Sequence, residues 1–299
     1  EVVKSGKYLH IPREIPYIGN ILNNILASMP LINRLGLIEY IIARPTFFQE
    51  NKSPDVSVSI IVPTYEEAGN IKNITQRIPQ IGQKTELIFV DLPGKDATAR
   101  VIKETAKNYK GKLSIKYVSQ TRKNGKVGAL RLGVAKATGE IVIIYDADMT
   151  VPPEDIEKIY LALTERKGDF VNGTRLVYPT EKGAMRFANH LGNSFFARLF
   201  TWGLGQHFTD TLCGTKGFWR EDFINFEKTK VSYDNFDLYG DFYLLLSAYR
   251  KNLRIAEVPV RYKTRRYGDT KMNRLRNGMR FLLMFLYFFW NYKLLRRAD

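Results

Sequence analysis

Cysteine is nearly absent: Cys213 is the only one in 299 residues. An intrachain disulfide is excluded, and neither a cysteine metal site nor a disulfide-stapled secreted scaffold fits, so a reducing compartment is the simpler setting. Histidine is scarce too, three in all. His190 and His207 have no partner at ligand spacing and read as ordinary polar positions. No run reaches the roughly 20 apolar residues of a membrane-spanning helix; the longest, FLLMFLYFFW from Phe281 to Trp290, is half that. Internal repeats and low-complexity tracts are missing. Residues 1 to 15 lack the order of a signal peptide, and with Glu1 rather than Met in first place the expectation is a piece of a longer polypeptide.

What is present is apolar and basic. Hydrophobic residues make up 44%, enough for a sizeable core, and 46 Lys and Arg against 30 Asp and Glu leave a formal charge of +16. A polyanion, whether phosphate, membrane surface or nucleic acid, is the partner such a balance calls for. The charge is uneven: residues 261 to 299 hold eleven Lys or Arg and two Asp.

Residues 1–54 form a preface. Ile18, Ile21, Leu22, Ile25 and Leu26 fall at helical spacing, a second apolar stretch LINRLGLIEYIIA follows Pro30, and the pattern predicts an amphipathic helical arm or linker. From Val56 the texture changes. VSVSIIVPTY, ELIFVDL, LSIKYVS, EIVIIYDAD and DFVNGT read as strands, with helical patterns near 69–78, 96–109, 124–137 and 153–166 between them. This alternation predicts an α/β fold, a mostly parallel Rossmann-like sheet with helices on both faces. In such sheets ligands bind beyond the carboxyl ends of the strands, which here are PTYEE, DLPGKDAT, DADMT and GTRL.

Asp146 and Asp148 stand two apart after an apolar strand, so both side chains point the same way. Paired hard oxygens at an open sheet edge suit a divalent cation that also holds phosphates; the alternative, capping of the next helix, is weakened because PPED already supplies helix-start residues. Tyr65 and Glu67 in PTYEE can hold a base and ribose, or form an ordinary turn. Asp91 ends the second strand, and Asp96 reads as an N-cap. Lys123 and Lys126 lie in QTRKNGKVGALRLG, where Gly125 and Gly128 let backbone approach an anion at a helix N-terminus. Asp237 and Asp241 open a helix, as plain helix-start acids or as a proton acceptor for a hydroxyl substrate. Asp210, with Thr215 and Lys216, can orient a phosphate or merely stabilise a turn.

The stretches SIIVPTYEEAGNI, VDLPGKDAT, GKVGALRLGVAKATGEIVIIYDADMTVPPEDI, VNGTRL, DTLCGTKGFWR and RRYGDTK span about residues 56 to 275. In their order the chain resembles the family 2 glycosyltransferases of the GT-A fold, within them the polyprenyl-phosphate sugar transferases that include the dolichol-phosphate mannose synthases. The resemblance implies that Pro63, Tyr65 and Glu67 contact the nucleotide, that Asp91 helps hold it, and that Asp146 and Asp148 meet the diphosphate through Mg²⁺ or Mn²⁺. It also implies that Arg175 lies close to the phosphates, and that Arg265 and Lys271 engage phosphate groups from a loop folded over the site. Asp241 falls where many of these enzymes keep a carboxylate that takes the proton of a hydroxyl acceptor. Two positions depart from the pattern: Leu92 stands where relatives often carry a second carboxylate, and Thr150 where the mannose synthases place Gln.

The expected division is an arm (1–54), a GT-A body (55–263), and a basic loop with a C-terminal amphipathic helix (264–299). NRLRNGMR, FLLMFLYFFW and NYKLLRR bracket an apolar block with cations, as in a helix lying in a lipid interface or packing on its own core. The resemblance then implies a metal-dependent inverting transfer from a nucleoside diphosphate sugar to a polyprenyl phosphate at the cytoplasmic face of a membrane. Competing readings are a hydroxyl acceptor with Asp241 as base, a fold that binds nucleotide sugar without turnover, and a nucleic-acid-binding module. The last fits poorly, because the cations sit beside an apolar block and no reading motif is recognisable.

Overall fold

The computed structural model describes residues 2–11, 15, 18–29, 31–43, 55–121, 125–179, 181, 187–228, 240–265, 267–268 and 274–294. The arm contains β1 (Val2–Tyr8), α1 (Gly19–Ser28) and β2 (Ile38–Ala43). Its helical reading holds for α1 but not for LINRLGLIEYIIA, which makes a short 3₁₀ turn over Ile32–Leu35 and then β2, paired antiparallel with β1 from Tyr8↔Ile38 to Val2↔Ala43. Gly36 ends the turn, and IEYIIA is β-branched, aromatic and too short for a helix of its own.

The body alternates as the sequence predicts: β3 (Val58–Thr64), α2 (Ala68–Arg77), β4 (Thr85–Asp91), α3 (Thr98–Asn108), β5 (Ser114–Ser119), α4 (Gly125–Lys136), β6 (Ile141–Ile144), α5 (Ile156–Thr164) and β7 (Phe170–Thr174). Then come α6 (Phe187–Leu204), β8 (Lys216–Trp219), α7 (Arg220–Lys228), α8 (Asp241–Arg250), β9 (Ile255–Pro259) and α9 (Arg274–Phe288). The seven strands lie in the order β5-β4-β3-β6-β8-β7-β9. Only β8 runs against its neighbours, antiparallel to both β6 and β7.

The strands bury both faces, as a helix-covered sheet demands. Ile61, Ile88, Val90, Val142 and Ile144 face a core shared with α4, α6, α8 and α9. Their alternates Ile60, Val62, Leu87, Phe89 and Ile143 face α2, α3 and α5. This α/β architecture is the GT-A type that the sequence leads one to expect.

The C-terminal helix is half core. Phe281, Met284, Phe285 and Phe288 are buried, with the Phe285 ring centroid 5.1 Å from that of Phe200. Gly203 permits this seam, since a Cβ there would lie 2.4 Å from the Phe285 ring. Phe285→Ala therefore opens a cavity where α9 meets the body. It should cost about 3–5 kcal/mol, read as a lowered urea midpoint.

Candidate active site

Strand order reverses at β3: the chain passes from β3 outward to β4 and β5, then returns to place β6 on the other side. Such a reversal leaves a crevice beyond the carboxyl ends of the two central strands. β3 outruns β6, whose ladder with it ends at Ile61↔Ile144. Ile61 O accepts Tyr145 N–H and Thr64 O accepts Leu92 N–H, so alternate residues face β6 and β4, and Pro63 faces the side that β6 has left. A proline with no N–H to donate is tolerated there. Both lips carry a non-glycine residue in the left-handed region, Glu66 (φ 55°) after β3 and Met149 (φ 55°) after β6. That conformation costs about 1–2 kcal/mol at each and aims the neighbouring carboxylates.

Asp146 and Asp148 project from the β6 end. Neither caps a helix: a 3₁₀ turn begins at Pro153, and Asp155 is the residue before α5. Lys126, in the first turn of α4, places Nζ 2.6 Å from Asp146 Oδ1 and 3.7 Å from Asp241 Oδ1 at the start of α8. Burial alone would push the Asp146 carboxyl up, yet the Lys126 ammonium outweighs it and holds the group below the usual carboxylate range. Burial would likewise lower the Lys126 pKa, but Asp146 and Asp241 hold it above the ordinary lysine range.

Arg265 closes the other half. Its Nη2 donates to Asp148 Oδ2 at 2.6 Å, and Nη1 lies 3.6 Å from Glu67 Oε1. Glu67 Oε2 accepts from Asn70 Nδ2. The loop after β9 is pinned across the site, with Lys263 N–H donating to Thr150 O and the Tyr267 ring against the backbone of Gly69. The departure at Thr150 has a local role: its N–H and Oγ1 both donate to Asp148 Oδ1. Leu92 contributes its N–H to the β3 end and no carboxylate.

Asp91 lies beneath the crevice. Its Oδ1 accepts from Thr64 Oγ1, its buried Oδ2 has no hydrogen-bond partner among the described residues, and burial raises its carboxyl. Asp96 accepts Thr98 N–H and also Ala68 N–H at the start of α2, tying two helices together. Tyr65 is exposed at the β3 lip.

Pro63, Tyr65, Glu67, Asp91, Lys126, Asp146, Asp148, Asp241 and Arg265 thus gather at one sheet end. Arg175 is close but committed elsewhere, with Nε and Nη2 forking onto the fully buried Asp210 at 2.6 and 2.9 Å and the guanidinium over the Tyr262 ring. A buried guanidinium requires such a partner, and Asp210 is therefore not free to orient a phosphate. Lys216 is fully buried, donating to Asn172 Oδ1 and Cys213 O. The Cys213 thiol is pushed up to about 11 by burial and is inert. His190 and His207 are exposed on and after α6. Lys123, Asp237 and Lys271 fall outside the described residues.

Sequence reasoning missed Gly214. A Cβ there would lie 1.8 Å from Asp146 Oδ2, so only glycine leaves room for that carboxylate. The small residue in DTLCGTK was visible, but its neighbour 68 positions away was not.

Residues 59–225, more than half of the chain, match the model of the family described as Glycosyl transferase family 2. The chain belongs to that family. It is 33% identical over 125 residues to the dolichol-phosphate mannosyltransferase of Saccharomyces cerevisiae, covering 40% of this chain and 45% of that one. Against the undecaprenyl-phosphate 4-deoxy-4-formamido-L-arabinose transferase of Proteus mirabilis it is 27% identical, covering 77% and 66%. The match to the yeast enzyme thus spans less than half of that protein's length. Glucosyl-3-phosphoglycerate synthase from Mycobacterium tuberculosis, solved with Mn²⁺, UDP and phosphoglyceric acid, shares the fold with a TM-score of 0.59 at 18% identity, covering 83% of this chain and 84% of that one.

Gly214→Ala should displace the Asp146 carboxylate and lower kcat/KM about 100-fold with the thermal midpoint nearly kept; a steady-state assay beside a melting curve checks it. In Lys126→Met, burial acts on Asp146 without its counter-ion, so the carboxyl pKa rises. The ionised form is then lost at a higher pH as the pH falls, and the acid limb of the pH–rate profile should move upward.

Proposed function

We propose that this chain is a metal-dependent, inverting glycosyltransferase that moves a sugar from a nucleoside diphosphate sugar to a polyprenyl phosphate at the cytoplasmic face of a membrane. The observation that carries it is the charge cluster at the crevice: among the described residues Lys126 pairs with Asp146 and Asp241, and Arg265 with Asp148 and Glu67. The two strand-end aspartates offer hard oxygens at the open end of the sheet. That donor set fits Mg²⁺ or Mn²⁺, which such sites bind through one or two carboxylates together with substrate phosphates. Such an ion would supply charge neutralisation on the departing diphosphate.

The chain's own residues do the rest. Tyr65 and Pro63 line the lip where a base would lie, and the unpartnered Asp91 Oδ2 offers it an acceptor or, if protonated, a donor. Lys126 already contacts Asp146 and Arg265 contacts Asp148, so they are placed to move onto phosphate oxygens as charge develops there. Lys271 would add a further cation from the same loop. Arg175 acts at a distance, contributing a fixed positive field felt by Asp146 rather than a direct contact. In the transfer, the bond from the anomeric carbon to the diphosphate breaks, an acceptor phosphate oxygen takes that carbon from the opposite face, and nucleoside diphosphate leaves. A phosphate oxygen is already anionic, so no strong base is needed.

The relatives' names favour a polyprenyl phosphate acceptor, and the neighbours solved with UDP and Mn²⁺ or Mg²⁺ favour the metal. The arm (1–54), body (55–263) and loop-and-helix tail (264–299) then have separate tasks, the tail's α9 lying on the lipid surface. Asp241 beside Lys126 keeps a second reading in play, in which a hydroxyl acceptor gives its proton to Asp241.

Labelled nucleoside diphosphate sugars, offered with polyprenyl phosphate and with Mg²⁺, Mn²⁺ or chelator, separate the two readings. Label should enter the organic phase only with both metal and lipid phosphate, vanish in Asp148→Ala, and persist in Asp241→Asn. Transfer to a hydroxyl acceptor that disappears in Asp241→Asn would establish the second reading instead.

A further inference from the structure

The arm exposes more apolar surface than a water-facing element tolerates. Leu31 (78% exposed), Leu35 (74%) and Leu37 (65%) project from the turn that joins α1 to β2, and Met29 and Ile38 flank them. Contiguous exposed apolar surface of this kind marks an interaction site. A two-stranded ribbon such as β1–β2 is also marginal in water by itself.

The turn is held in shape without a partner. Asn23, buried on α1, accepts the N–H groups of His10 and Ile11 on Oδ1 and donates from Nδ2 to Ile11 O. His10 Nε2 donates to Ile32 O at 2.8 Å, and Leu37 N–H to Leu9 O. The leucines are therefore presented on a preordered frame, and little entropy remains to be lost on docking.

Charge and position decide what that frame meets. Lys7 reaches Arg34 O with its ammonium, and Arg34 is exposed, so two cations stand beside the leucines. α1 packs against the last helical turn, Phe289–Leu294, which puts the arm at the same end as α9. There Met279, Leu283, Leu286 and Trp290 are exposed at i, i+4, i+7 and i+11, one outward stripe. Trp202 of α6 stacks on Phe289 and continues it. An apolar surface bordered by cations on a chain of charge +16 repels a second copy and attracts an anionic bilayer.

We propose that the Leu31–Ile38 turn is a membrane-inserting prong, docking the chain on an anionic lipid surface together with α9. Only the tip enters the apolar layer, because the open edges of β1 and β2 leave backbone groups that hydrocarbon cannot satisfy. The proposal rests on the lipid-acceptor reading only for choosing a bilayer as the partner.

The test uses the full chain and vesicles of phosphatidylcholine and phosphatidylglycerol without polyprenyl phosphate, so that binding is read apart from transfer. Leu31→Ser with Leu35→Ser should lower vesicle partitioning about tenfold or more, while transfer to a short-chain polyprenyl phosphate in detergent stays as in the parent. Because Cys213 is buried, a dye on Leu35→Cys reports the tip alone, and its emission should shift to the blue on adding anionic vesicles. Unchanged partitioning of the double variant, or no dye shift, overturns the prong whatever the transfer assay gives. So does a dimer in solution that the double variant converts to monomer with vesicle binding kept, which would assign the patch to self-association.

Discussion

Four carboxylates converge where β3 and β6 part, and the arrangement depends on keeping them from repelling one another. Two like charges 4 Å apart cost about 4 kcal/mol at the effective dielectric of a partly buried site. Lys126 bridges Asp146 and Asp241, and Arg265 bridges Asp148 and Glu67. Each cation therefore ties together segments that the sequence keeps far apart: the β6 end to the start of α8 through α4, and the β6 end to the β3 lip through the loop after β9. Losing either cation would leave an unpaired carboxylate and also untie the chain at that corner.

This tie explains how a bare strand end becomes a site. The parallel strands supply rigid, fully apolar stems, with Ile141, Val142 and Ile143 all inaccessible to solvent, so the aspartates after them have little freedom. Beside the crevice lie two further cations paired elsewhere. Arg175 and Lys216 are enclosed by Asp210, Asn172 and the Cys213 carbonyl. Their positive field still reaches Asp146, and it costs no reorganisation when charge on a neighbouring group changes.

The five strands β3 to β7 and the four helices between them were legible because short β-branched apolar runs alternate with helical ones over short, local windows. The aspartate pair was legible for the same reason, since two residues on one strand share a face. β2 was not, because IEYIIA is a short apolar run whose period cannot separate strand from helix and whose partner β1 lies 30 residues away. β8 hid in DTLCGTKGFWR: four residues inserted antiparallel between β6 and β7 carry almost no local signal. The commitment of Arg175 to Asp210 was illegible too. Nothing in GTRL distinguishes an arginine that meets phosphate from one forked onto a buried carboxylate, a difference set by a residue 35 positions away.

The loop that closes the crevice and the helix proposed to lie on lipid are neighbours in sequence, and this links chemistry to location in the proposed reading. Arg265, Tyr267 and Gly268 sit over the β3 lip, and α9 begins at Arg274, so only five residues, 269–273, separate the cover of the site from α9. At about 3.3–3.6 Å per extended residue so short a connection cannot let the two drift apart. A lipid phosphate standing in the head-group layer beside α9 would thus arrive at the side of the crevice where Arg265 waits.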